Sequence, residues 1–184
     1  MDSTDLAFLP ATDAAALIRD KKLSPVELMQ AVLSRIEAQE PTVNAFATLT
    51  ADQAMEGAKT AESDLSSGKP LGPLHGIPVT IKDLAALKDV PMESGSLMQK
   101  GNIADFDTPF AARLKEAGAI PLGKTTTSEF GWKGVSQSPL TGITHNPWKQ
   151  GYNAGASSAG AGAGAAAGYG PLHQGSDGAG SIRM

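Results

Sequence analysis

Apolar positions recur at helical spacing in the first third of the chain and at strand spacing further on. Val26, Met29, Val32, Leu33 and Ile36 share one face at intervals that predict an amphipathic helix. Ser24-Pro25-Val26-Glu27 marks its start, a capping-box pattern with proline at the first helical position, and Pro41 is expected to end it. A shorter helix is predicted over residues 13–20 behind Thr12 as cap. A third is predicted from Thr50 to about Leu65, with Gly68 just past its end. Residues 44–49 alternate enough to make a strand between the second and third helices.

After residue 70 the texture changes. Leu71 to Pro78 is turn chemistry feeding Val79-Thr80-Ile81, a β-branched run that reads as a buried strand. Asp107-Thr108-Pro109 starts another helix, Gly118 stops it, and residues 119–122 form a second short strand. Short strands alternating with helices predict an α/β architecture. Residues 1–69 read as a helical segment packed on a core made by 70–184, the two forming one domain.

Composition narrows what such a fold does. Of 184 residues 41% are apolar and 18% charged, enough apolar material for a core. The net charge of −4 and the lack of any Lys/Arg cluster argue against nucleic acid or an anionic membrane as partner. With no cysteine, disulfides, thiolate metal sites and thiol catalysis are excluded. His75, His145 and His173 lack metal-ligand spacing, so neither metal nor cofactor is expected. Asp2 and Asp5 precede any apolar run, unlike a signal peptide. The uncharged stretch 150–174 is Gly, Ala and Ser rather than Leu, Ile and Phe, too weakly apolar to span a bilayer. A cytoplasmic location is expected, and oligomeric state is open, a homodimer included.

Two motifs compete for attention. Gly118-Ala-Ile-Pro-Leu-Gly123-Lys124-Thr125 fits the phosphate-loop pattern GxxxxGK[ST]. That motif belongs between a strand and a helix, whereas here a helix precedes Gly118 and the strand candidate lies inside the pattern. Pro121 also removes an N–H that the phosphate cradle needs. A helix stop followed by a strand and turn is the better reading, with a nucleotide-binding module as the alternative. Gly162-Ala-Gly164-Ala-Ala-Ala167 looks like a dinucleotide fingerprint but has no strand before it. The surrounding Gly/Ala/Ser tract is either a flexible linker or a tight loop plus a helix that lets other backbone approach closely.

Three features carry chemistry. Lys82 closes the apolar strand 77–81, Ser157-Ser158 heads the small-residue tract, and Ser181 closes Gly175-Ser-Asp-Gly-Ala-Gly-Ser-Ile-Arg183. Taken singly, each has a bland reading: a snorkelling surface lysine, filler serines, a helix cap. Together, Gly76-Ile-Pro-Val-Thr-Ile-Lys82-Asp83, Gly155-Ala-Ser-Ser-Ala-Gly160 and the Gly175–Arg183 segment resemble the three motifs of the amidase signature family. The separations, 75 residues from Lys82 to Ser157 and 24 from Ser157 to Ser181, are close to the family's. Gly123-Lys-Thr125, Glu129-Phe130 and Asn146-Pro-Trp148 agree as well, so the resemblance runs from about Ser24 to Arg183.

That resemblance implies a mixed β-sheet core flanked by helices, an amide substrate and a Ser-cisSer-Lys triad, with Ser181 as nucleophile, Ser157 as bridging serine and Lys82 as base. The chemistry stands on its own terms. A serine needs its proton removed as it attacks, and a lysine serves as base only when a dry pocket keeps its amine neutral. The N–H groups of Gly178, Ala179, Gly180 and Ser181 are the expected oxyanion hole, with Gly131 beside the substrate. Ser158, Asp177 and Arg183 are expected to support the site. The expected cycle acylates Ser181, releases ammonia or an amine, and then lets water free the acid.

The chain departs from the family pattern in two ways. Ala156, Ala159, Ala161 and Ala179 stand where the family favours glycine, and a positive φ at Ala179 would cost about 1–2 kcal/mol. Family members also continue well past the position of Met184, so the stretch is expected to be the N-terminal, catalytic part of a longer fold, truncated on its C-terminal side. A non-catalytic fragment is the remaining alternative.

Overall fold

The computed structural model describes residues 1–184. Asp2 caps α1 (Ser3–Ala7), five residues too short to show a hydrophobic period. α2 (Ala11–Arg19) starts behind Pro10 rather than Thr12. The proline ring holds φ at −57°, ready for a helix, while the Thr12 hydroxyl turns to Asp13 at 3.4 Å. α3 (Pro25–Val43) opens as expected on one side, with Ser24 Oγ accepting from the N–H groups of Val26 and Glu27 at 3.0 and 3.2 Å. The reciprocal Glu27 bond of a full capping box is not formed; the Ser24 hydroxyl instead donates to Glu62 of the following helix. Pro41 does not end α3. It withholds a donor from the carbonyl of Glu37, which is exposed, and the helix continues until Asn44 turns left-handed at φ 55°.

β1 (Phe46–Leu49) and α4 (Ala51–Ser66) follow; Thr50 precedes α4 without a side-chain cap. β2 (Pro78–Lys82) is buried along its whole length, and α5 (Pro109–Glu116) carries the chain across to β3 (Ile120–Thr125). Short strands β4 (Gln137–Ser138) with β5 (Gly142–Ile143), and β6 (His145–Asn146) with β7 (Lys149–Asn153), make two antiparallel ribbons. α6 (Ala159–Ala167) and β8 (Leu172–His173) complete the chain, so the small-residue tract is a loop and helix rather than a linker. A strand does precede that tract, yet β7 is an exposed ribbon and not part of the central sheet. No helix is long and apolar enough to cross a membrane.

The central sheet has the order β1-β3-β2-β8, with β1 antiparallel to β3 and the β3-β2-β8 pairs parallel. The GxxxxGKT segment is thus a turn at Gly118, with φ 90°, followed by β3 itself. Lys124 lies fully buried in a strand, with no loop of free N–H groups around it. One apolar cluster of 22 buried residues joins α2, α3, β1 and α4 to Leu122, α6 and Tyr169, drawing on both sides of residue 70. A smaller cluster, Val79, Ile81, Ala85 and Ala119, packs under Phe110 and Leu114 of α5.

The small residues of α6 have a reason. A Cβ at Gly160 would lie 2.1 Å from the carbonyl oxygen of Ala45 and 2.5 Å from the amide nitrogen of Thr126. Only glycine lets the helix N-terminus settle onto the end of β3, where Gly160 N–H donates to Thr126 O at 3.1 Å. That contact brings the Ser157-Ser158 loop over the end of β2.

Candidate active site

Alternation along β2 sends Val79 and Ile81 into the α5 cluster, and Thr80 and Lys82 to the opposite face. There Thr80 Oγ1 meets His173 Nδ1 of β8 at 3.0 Å, and Lys82 reaches under the start of α6. Burial drops the His173 imidazole to about 4, and its Nε2 contacts Gly170 O at 2.9 Å. Gln174, just past β8, accepts the backbone N–H of Lys82 at 2.9 Å and pins the strand end.

The Lys82 amine is enclosed, with the residue 1% exposed. Its Nζ lies 2.7 Å from Ser157 Oγ, 3.0 Å from Ser158 Oγ, 3.1 Å from Ser176 Oγ and 3.1 Å from Ser181 Oγ. The hydroxyls also touch one another: Ser181 Oγ is 3.1 Å from Ser157 Oγ and 2.9 Å from Ser158 Oγ. An ammonium has three protons for four oxygens, whereas a neutral amine has two protons and a lone pair that accepts from one hydroxyl. Burial favours the neutral form, lowering the amine from 10.5 to about 8, with the Asp177 carboxylate pulling weakly the other way.

The Ala156–Ser157 peptide is cis, and Ser157 and Ser158 are both 6% exposed. Ser158 occupies the N-cap position of α6 but makes no side-chain cap bond, because its hydroxyl is engaged by Lys82, Ser176 and Ser181. Its N–H donates instead to Ser181 Oγ at 2.9 Å.

The loop before Ser181 is wound around Asp177. Its carboxylate accepts the N–H of Gly180 at 2.7 Å and of Ile182 at 3.2 Å, and takes a two-pronged bond from Arg183 at 2.8 and 2.9 Å. That guanidinium holds the Asp177 carboxyl well below the usual carboxylate range. The Gly180 N–H is therefore already committed, leaving those of Gly178, Ala179 and Ser181 without protein partners. Ala179 keeps a negative φ, so alanine there is unstrained; Gly180 takes the positive value, 108°. Gly131, at φ 72°, ends the turn Glu129–Gly131, and a Cβ added to it would lie 3.2 Å from Ser157 Oγ and 2.5 Å from Leu84 Cδ1.

Sequence reasoning missed Ser176 and Gln174. Both lie in or beside the Gly175–Arg183 segment, but neither residue type nor spacing shows that they reach β2. It also passed over the pairing of Asp83 with Lys124, two residues quoted in separate motifs.

Comparison with known proteins shows the family. The family profile described as Amidase matches residues 27–184. The chain is 44% identical over its whole length to an acylamidase from Rhodococcus erythropolis, of which it covers 39%. It is 40% identical, over 94% of its length, to an indoleacetamide hydrolase from Bradyrhizobium diazoefficiens, covering 33% of that protein. Among solved structures it superposes on fatty acid amide hydrolase with a TM-score of 0.94 and 30% identity, covering 98% of this chain and 32% of that one. The chain belongs to the amidase family. It spans between about a third and two fifths of the length of these relatives.

Proposed function

We propose that the protein hydrolyses a small-molecule amide by acyl transfer, with Ser181 as nucleophile, Ser157 as proton relay and Lys82 as base. The observation that carries this reading is the enclosed Lys82 amine, 2.7 Å from Ser157 Oγ and 3.1 Å from Ser181 Oγ, its pKa lowered by burial to about 8. Family membership supplies the reaction class, and the relatives it resembles are named for the hydrolysis of acylamides, indoleacetamide and fatty acid amides.

In the forward step Ser181 Oγ bonds to the carbonyl carbon as its proton passes to Ser157 Oγ and the proton of Ser157 passes to Lys82 Nζ. The tetrahedral oxyanion is received by the free N–H groups beside Ser181. Each such donor is worth about a hundred- to a thousandfold in rate. The proton then returns from Lys82 Nζ through Ser157 Oγ to the leaving nitrogen, the C–N bond breaks to release ammonia or an amine, and water then frees the acid from Ser181. Asp177 and Arg183 hold the loop in shape, and Ser158 steers the Ser181 hydroxyl through its N–H. Gly131 forms the bare wall beside Ser157 where substrate passes.

A serine-directed fluorophosphonate applied to the full-length protein tests this directly. Labelling should map to Ser181 and vanish in Ser181→Ala and Lys82→Ala, together with hydrolysis of simple amides. Full activity in Ser181→Ala would refute it.

A further inference from the structure

Directly behind Lys82, on the other face of the same two strands, a second lysine is buried with an acid. In the β2–β3 register Lys82 pairs with Thr125 and Ile81 with Lys124, so alternation puts Lys124 and Asp83 together on the face away from the serines. Lys124 Nζ contacts Asp83 Oδ1 at 2.9 Å, with side-chain exposures of 0% and 1%. Asp83 N–H donates to Thr125 O at 3.0 Å, so the residue that follows Lys82 is tied to β3 by backbone as well as side chain.

Such a pair is a poor source of stability. Taking two charges out of water offsets most of their attraction, and apolar residues of the same volume hold a fold at least as well. What the pair does hold is a loop. Both Asp83 oxygens face the N–H of Glu93, at 3.3 and 3.2 Å, and Lys124 Nζ reaches Pro91 O at 3.4 Å. The same loop receives Phe130 N–H on Ser94 O at 2.8 Å and donates Ser96 Oγ to Glu129 Oε1 at 2.8 Å. Phe130 is held at φ 49°, and the next residue, Gly131, stands against Ser157.

We infer that Asp83 and Lys124 are positioning residues for amide hydrolysis: one buried pair holds the base-bearing end of β2 and, through loop 91–96, the Gly131 wall of the substrate site. This rests on the Ser181–Ser157–Lys82 reading above. Neither residue touches substrate. They act by keeping the Lys82 amine and the Gly131 turn in fixed separation across Ser157, where a misplacement of about 1 Å reduces rate about a hundredfold.

The test uses the full-length protein and two variants, Asp83→Asn and the double change Asp83→Asn with Lys124→Met, which leaves no charge unpaired. The expected result is a folded double variant, by circular dichroism and cooperative melting, whose kcat falls about a hundredfold. Its fluorophosphonate labelling of Ser181 should slow, and the pH at which labelling reaches half its plateau should move, since the amine's surroundings have changed. Wild-type kcat and an unmoved pH profile in a folded variant would overturn the proposal, as would failure of both variants to fold, which would assign the pair to stability alone. Ser181→Ala and Lys82→Ala run alongside separate the two claims. If these lose activity while the double variant keeps it, only the positioning role fails; if they keep activity, the catalytic reading fails first.

Discussion

Lys82 and Lys124 stand on adjacent parallel strands, one register step apart, and water reaches neither. Burial pushes both amines down from their ordinary value. The difference lies in what faces them. Lys124 meets a carboxylate at 2.9 Å, whose charge and hydrogen bond oppose the drop. Lys82 meets four hydroxyls, which stabilise the charged form far less than a carboxylate does, and the amine falls to about 8. Burial alone thus does not make a lysine a base. What faces the buried amine decides how far it falls: a carboxylate holds it up and hydroxyls do so far less.

The contrast breaks most visibly at the chemistry. Ser181→Ala and Lys82→Met in the full-length protein are each expected to lower kcat by about 10⁴-fold or more, and the double variant by little further, because the residues act as a unit. Lys124→Met, which strands Asp83, should show the smaller, about hundredfold fall in kcat expected when the pair no longer holds loop 91–96 and, on top of it, lose about 3–5 kcal/mol by denaturant melting. Lys82→Met should be much milder there, since Ser157, Ser158 and Ser181 remain partners for one another.

Next in size is the relay. Ser157 Oγ is the oxygen nearest the amine, so Ser157→Ala should lower kcat about 10²- to 10⁴-fold. Ser158→Ala removes the hydroxyl's contacts with Lys82, Ser176 and Ser181 but retains the backbone N–H bond to Ser181, and should lose about tenfold. Equal losses would show that either hydroxyl carries the proton. Gly131→Ala adds a methyl group beside Ser157 at φ 72°; it is expected to reduce stability by about 1–2 kcal/mol and to reduce kcat/KM more than kcat. Stopped assays on one amide substrate settle both comparisons.

The smallest effect is on pH. A lysine whose pKa is depressed to about 8 is the active base only when unprotonated, so the rate should climb tenfold per pH unit below 8 and level off above it. Asp177 raises that value, so Asp177→Asn should move the climb to lower pH even as it loosens the loop around Gly180 and Arg183. A rate independent of pH from 6 to 10 would remove lysine from the mechanism.

How much of this was legible beforehand varied with the range of the interaction. The β-branched run before Lys82 and the proline-started helices are local patterns, and β2, α3 and α5 lie where those patterns put them. Termini were less legible at Thr12 and Pro41, where Pro10 and the exposed carbonyl of Glu37 decided, whereas α4 does begin directly after Thr50, without a side-chain cap bond. Ser157 and Ser181 could be named from their motifs. Ser176 could not, because its contact with Lys82 spans 94 residues and depends on where β8 pairs.

The chain's own order of residues determined the secondary-structure class, the absence of thiol chemistry and the three motif segments, since each is a matter of composition or short-range spacing. Tertiary structure decided which hydroxyls share the lysine, which N–H groups stay free and which face of the sheet holds charge. Those outcomes follow from the close seat of α6 at Gly160 and from strand register, where a one-residue slip of β3 would bring Lys124 round to the face of Lys82.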